Sequence, residues 1–142
     1  MSMLSIFNVS GSAASAQSQR LNVVASNLAN ADTVAAPNGQ AYKARQVTFQ
    51  TQLMGTGAAG ANDPTAAGVR VSTIGEDDTP GRRVHDPKHP SADADGYVTY
   101  SNVNAVEEMV NMISASRSYQ NNLEVMNTAK SLLLKTLQLG QG

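Results

Sequence analysis

Residues 104 to 139 carry apolar side chains at three-and-four spacing over a stretch that is long for a chain of 142 residues. Met109, Met112, Tyr119, Leu123, Met126, Leu133 and Leu137 mark one helical seam, interrupted at Ser116 and Lys130. Asn104 is a good N-cap, with Glu107 at the third helical position of a capping-box-like pattern. Glu107 and Glu108 sit at the positive end of the helix dipole and Lys135 near the negative end, and Gly140 is a natural stop. About 35 residues of helix extend about 50 Å. A small protein encloses such a rod poorly, so the seam calls for a partner along its length.

The other end of the chain offers one. Residues from about 4 to 31 read as a second helix, with Phe7, Ala14, Leu21 and Leu28 at steps of seven and Val24 between the last two. Its outer face is unusual. In "RLNVVASNLANADT" (20–33), Asn22, Ser26, Asn27 and Asn30 stand where a surface helix carries Glu and Lys. Asn and Ser compete with the backbone for hydrogen bonds and are mediocre helix formers. Amides and hydroxyls nevertheless hydrogen-bond across a contact without the cost of burying a charge. The face suits a helix surrounded by neighbours: Leu21 and Leu28 hold the intramolecular seam, and Asn22, Asn27 and Asn30 satisfy adjacent subunits.

Between the helices lies the punctuation. "APNGQ" (36–40) is a turn by composition. Val47, Phe49, Thr51 and Leu53 alternate with polar residues, predicting a strand over 46–53 with one apolar face. Residues 55–68 form a glycine-rich loop. Val69, Val71 and Thr73 alternate again, residues 76–96 form a long polar connection, and a short third strand spans 97–100. The predicted fold is mainly α: long N- and C-terminal helices paired as an antiparallel coiled coil, with a small β-rich insert. Residues 1–33 and 102–142 form the inner coiled-coil domain and 34–101 the insert.

Composition narrows the function classes. The net charge of −1 argues against a nucleic-acid surface, and the absence of Cys excludes disulfides and thiolate metal sites. No apolar run approaches a membrane span. Met1 to Val9 shows no basic region followed by a continuous apolar one, so no cleavable secretory signal of the usual kind is expected.

The motifs that suggest chemistry are weak. Gly55-Thr56-Gly57-Ala58-Ala59-Gly60 matches G-x-G-x-x-G, but Asn62-Asp63-Pro64 follows where a phosphate-binding helix should open. His85 and His89 are four apart, yet Pro87 and Pro90 break the helix that would align them on a metal. Asp93, Asp95 and Gly96 resemble part of a calcium loop, but its end positions would be Ser91 and Asn102. Glu107 and Glu108 are adjacent on a helix and point in different directions. No catalytic site, metal or cofactor is expected.

"SGSAASAQSQRLNVVASNLANADT" (10–33) resembles the N-terminal signature of flagellar rod and hook proteins. "NVNAVEEMVNMISASRSYQNNLEVMNTAKSLLLKTLQLGQ" (102–141) resembles their matching C-terminal helix, and "APNGQAYKARQVTFQ" and "HPSADADGYVTY" resemble the proximal-rod members. The resemblance implies a structural subunit of the flagellar basal-body proximal rod, a helical drive shaft across the periplasm that transmits motor torque. The implied partners are copies of itself, other rod proteins, components of the rod base and inner-membrane ring, and the flagellar type III exporter. Such subunits are exported without cleavage of a signal peptide. Neither a nucleic acid nor a small-molecule substrate is implied. The residues that map to subunit packing are Leu21, Asn22, Asn27, Leu28, Asn30, Met109, Tyr119, Asn122, Leu123 and Met126. A competing assignment is a rod or needle component of another type III secretion apparatus. Those proteins are usually shorter and lack a β insert, so strands at 46–53 and 97–100 discriminate.

Overall fold

A computed structural model describes residues 3–36, 39–54 and 67–140 of the chain. The element order is α1 (Met3–Ala29), β1 (Arg45–Leu53), β2 (Ala67–Glu76), β3 (Arg83–His85), β4 (Tyr97–Thr99) and α2 (Ala105–Gly140). Two long helices therefore flank a β-rich middle, as the periodicities predict. The glycine pattern at 55–60, and Pro37 and Asn38 of the expected turn, lie outside the described residues.

Both helices end as their sequences direct. Asn104 caps α2: its Oδ1 accepts the amides of Val106 at 3.1 Å and Glu107 at 3.4 Å. Its carbonyl takes the first intrahelical bond, from Glu108 N at 3.0 Å. At the end of α1 the bonds tighten: Ala31 N reaches Leu28 O and Thr33 N reaches Asn30 O. The Asn30 side chain donates to Ser26 O at 2.8 Å, and the Thr33 hydroxyl donates to Asn30 O at 2.7 Å.

The middle holds four strands among the described residues, where the sequence predicts three. They form two two-stranded sheets, β1–β2 and β3–β4. β3 lies inside the stretch expected to be a plain polar connection. It pairs antiparallel with β4 in the register Arg83↔Thr99, Val84↔Val98, His85↔Tyr97. Its one apolar side chain, Val84, is exposed, so no buried alternation marks it. Stacking replaces that signal: Arg83 lies 4.7 Å from the Tyr97 ring centroid, Arg82 5.0 Å from that of Tyr100, and His85 packs edge-on against Tyr97. On its other side β4 is held by the bridge Val34↔Tyr100 and by Ala35 N donating to Thr99 O at 2.9 Å.

The chain divides into two compact units. The first comprises 1–20, 49–72 and 114–142. Among the described residues its buried apolar side chains are alanines: Ala14 and Ala16 on α1, Ala115 and Ala129 on α2. Here a Cβ on Gly68 would meet Met54 Cε and Ser12 Oγ, side-chain ends that would have to shift to admit it. That same Ser12 hydroxyl accepts Val69 N at 3.1 Å. The second unit comprises 21–48 and 73–113, with Val24, Ala31, Ala44 and Val98 buried. Val98 is fully enclosed.

The turn into β4 depends on Gly96, whose φ is +77° and whose missing Cβ would lie 3.2 Å from Pro87 Cγ. Gly96→Ala should destabilise the protein by about 1–2 kcal/mol, because an L side chain is strained there. Val98→Ala should cost about 2 kcal/mol or more through lost burial and a residual cavity. Chemical denaturation of the full chain checks both.

Candidate assembly interface

The second unit is organised by an asparagine. Asn27 is 1% exposed, and each of its polar atoms is used inside the chain. Its Oδ1 accepts Arg45 N at 2.9 Å and the Tyr42 hydroxyl at 3.0 Å. Its Nδ2 donates to Arg45 O at 2.8 Å and to Glu108 Oε2 at 3.2 Å. The amide that the sequence suggests for contacts with neighbours thus satisfies its own chain. Two further residues act similarly and were not singled out from sequence as structural. Asn102 Oδ1 accepts Ala44 N at 2.7 Å, and its Nδ2 donates to the carbonyls of Asp77 and Thr79 at 2.9 Å each. Ser101 is buried, and its hydroxyl donates to Ala31 O at 2.6 Å. The cue was present in "SNVN": amide and hydroxyl residues directly before a helix, beyond the one needed as its cap.

The helices show which faces the chain uses itself. On α2 the positions Glu108, Met112, Ala115, Tyr119, Asn122, Met126, Ala129 and Leu133 are buried or half-buried at four-and-three spacing. One heptad position carries Met, Tyr, Met and Leu; the other carries Glu, Ala, Asn and Ala. Of the expected seam, Met112, Tyr119, Met126 and Leu133 belong to this stripe, while Met109, Leu123 and Leu137 are exposed. Asn122 turns its amide back to Ser118 O at 2.8 Å. On α1, Phe7, Ser10, Ala14, Gln17, Leu21, Val24 and Leu28 are buried or half-buried at the same spacing. Asn22 is exposed, in a stripe with Asn8, Ser15, Ala25 and Ala29. Asn30 is half-buried and bonded within its own helix.

In the second unit, the first turns of α2 are inside out. The inner positions are Ala105, Glu108 and Met112, whereas Val106, Met109, Val110 and Ile113 face outward, Val106 at 71% exposure. Spacing of i, i+3, i+4 and i+7 makes these four one continuous apolar face. In the first unit, Val125, Leu132, Leu134, Leu137 and Leu139 are also exposed. A groove of about 510 Å³ there is lined by Ile6 together with Val125, Ala129 and Leu132, with Asn121 and Glu124 at its polar edge. Contiguous exposed apolar surface of this kind marks an interaction site.

The residues that suggested metal or acid–base chemistry serve local structure. Asp93 Oδ1 accepts the amides of Tyr97 at 2.8 Å and Asp95 at 3.0 Å, and its Oδ2 pairs with Arg83 at 2.9 Å. His89 Nδ1 accepts Ser91 N at 3.0 Å. Among the described residues no group of three or more His, Asp or Glu could hold a metal ion, and no helix is long and apolar enough to cross a membrane. The Tyr97 amide above all, then the Asp95 amide and Arg83, hold the Asp93 carboxyl below its ordinary 3.8. The Thr79 hydroxyl and amide lower that of Asp77 in the same way. A depressed folded-state value contributes stability that is complete above the ordinary one and lost as pH falls through the folded one. The denaturation midpoint should therefore be insensitive to these groups between about pH 7 and about pH 5. It should fall below pH 3.8, less steeply in Asp93→Asn.

Comparison with known proteins converges on one family. The family described as "Flagella basal body rod protein" matches residues 7–36, and "Flagellar basal body rod FlgEFG protein C-terminal" matches residues 94–139. The chain is 59% identical over 141 residues to a flagellar basal-body rod protein FlgC of Yersinia enterocolitica, covering 99% of this chain and 100% of that protein. It is 55% identical to the FlgC of Escherichia coli O157:H7 and 54% identical to that of Salmonella typhimurium, with the same coverage. The two matched segments carry most of α1 and of α2, the helices whose faces are described above, and the chain belongs to the FlgC family of flagellar basal-body rod proteins.

Proposed function

We infer that the chain is a non-enzymatic subunit of the proximal part of the flagellar rod, built into a helical shaft that transmits motor torque. The observation that carries this reading is the outward apolar face of α2, Val106, Met109, Val110 and Ile113, in a chain of the rod family. A monomer gains nothing from that face, whereas packing it against a neighbouring helix returns about 1.5–3 kcal/mol per side chain.

In the assembled subunit, α1 and α2 pair as an antiparallel coiled coil, with 1–33 and 102–142 as the inner domain and 34–101 as an insert. Two contacts support this pairing. In the second unit Asn27, near the end of α1, bonds Glu108, near the start of α2. In the first, Ile6, near the start of α1, lines the groove with Val125 and Leu132 of α2. The heptad stripes on both helices support it further. Asn22, Met109 and Leu123 are placed to meet neighbours; Leu21, Leu28, Tyr119, Asn122 and Met126 shape the seam behind them. The partners are copies of this chain, other rod proteins and components of the rod base. Export passes through the flagellar type III apparatus, and the working location is the periplasmic rod. The strands β1 and β4 favour this reading over a needle component.

Val110→Asp and Ile113→Asp should leave the stability of the purified chain within about 0.5 kcal/mol, because both sites are exposed. In a flagellated host relying on the variant, each should abolish rod assembly and swimming. Normal swimming would count against the reading. Deleting residues 133–142 should likewise prevent assembly, checked by electron microscopy of isolated basal bodies.

A further inference from the structure

We infer that Asn27 is a positioning residue whose side-chain amide acts as a one-residue strand, fixing where β1 starts relative to the end of α1 and the start of α2. A side-chain amide is a planar donor–acceptor pair, like a peptide group. Oδ1 accepts from Arg45 N and Nδ2 donates to Arg45 O, at 2.9 and 2.8 Å. Exchange of both bonds with one residue is the pattern of a hydrogen-bonded pair in an antiparallel ladder.

The remaining capacity of the amide is also used. Its second acceptor site takes the Tyr42 hydroxyl, itself 3.2 Å from Ser26 Oγ, and its second hydrogen goes to Glu108 Oε2. At 1% exposure no water competes for these bonds, and an unpaired atom would bear the full cost of desolvation. Apolar packing is non-directional, so the valines and alanines of this unit cannot set an angle between β1 and the helices. Four hydrogen bonds from one rigid plane can. Aspartate has the right length and no donor, glutamine adds a methylene, and leucine fills the volume with neither donor nor acceptor. The inference concerns the internal geometry of the second unit and stands whether or not the rod reading does.

Amide exchange on the purified full-length chain tests it. The probes are the Arg45 amide, bonded to Asn27, and the Tyr100 amide, bonded to Arg82 O and remote from the node. Asn27→Asp removes both donors and sets a carboxylate against Glu108. It should speed Arg45 exchange about tenfold or more while Tyr100 is unchanged. Adding Glu108→Gln relieves the charge repulsion but leaves Arg45 O without its donor, so Arg45 should still exchange at least about threefold faster than in the parent. Unchanged Arg45 exchange in Asn27→Asp would overturn the inference. So would Arg45 and Tyr100 losing protection together, the behaviour of a residue that merely fills the core, or full recovery of Arg45 in the double variant, which would leave charge repulsion as the only effect. If Asn27→Asp does not fold, Tyr42→Phe gives the same decision. It deletes one bond to Oδ1 and should raise Arg45 exchange about two- to threefold with Tyr100 unchanged; no change at Arg45 overturns the inference.

Discussion

The Asn27 amide exchanges two hydrogen bonds with the backbone N–H and C=O of Arg45, and the geometry of the second unit depends on that exchange. The apolar residues buried in this unit, Val24, Ala31, Ala44 and Val98, are too small to define orientation by shape alone. Neutral side-chain groups do so instead. Asn102 ties Ala44 to Asp77 and Thr79, and Ser101 ties β4's exit to the end of α1. Amides suit this task because they supply both donor and acceptor, whereas a buried carboxylate or ammonium would need a full counter-charge. The charges of Lys43–Asp78 and Arg45–Glu76 pair at the surface and add little stability each, while the half-buried Glu108 carboxylate meets the Asn27 amide.

The same economy explains the helices. Large side chains of α2 are divided between an inner stripe, Met112, Tyr119, Met126 and Leu133, and an outer face that includes Val106, Met109, Val110 and Ile113. Ala115 and Ala129 fill two of the complementary inner positions, and Glu108 and Asn122 the other two. A globular protein would concentrate its large residues inward. This chain divides them between both sides, which suits a subunit of the basal-body rod. The exposed stripe of α1, Asn8, Ser15, Asn22, Ala25 and Ala29, is small and uncharged, and so can also be covered without burying charge.

Several residues that look chemical in sequence are structural in space. Asp93 binds two backbone amides and an arginine, His89 accepts from Ser91, and Gly96 allows a left-handed turn beside Pro87. These groups are committed to short-range bonds within the polar connection. That is why a metal-like spacing of His and Asp exists there without three such groups converging. The unpredicted strand β3 has the same origin: its order comes from backbone pairing with β4 and from arginines laid over tyrosines, neither of which leaves an apolar alternation.

The sequence by itself determined both long helices, the Asn104 cap, the β character of 46–53 and 69–73, and the family, because periodicity, capping and signature residues are local properties of the chain. Tertiary structure decided what each polar residue does. Asn22, Asn27 and Asn30 look equivalent along one helix. Yet Asn22 is exposed, Asn27 is enclosed by Tyr42, Arg45 and Glu108, and Asn30 bonds its own helix. It also decided that Met109 and Leu123 lie off the buried stripe of α2 while Glu108 and Asn122 lie on it. Helical spacing shows which residues share a face. Which face is buried depends on what the rest of the chain brings against it, and hydrogen-bond partners 15 to 81 residues away cannot be read from local pattern.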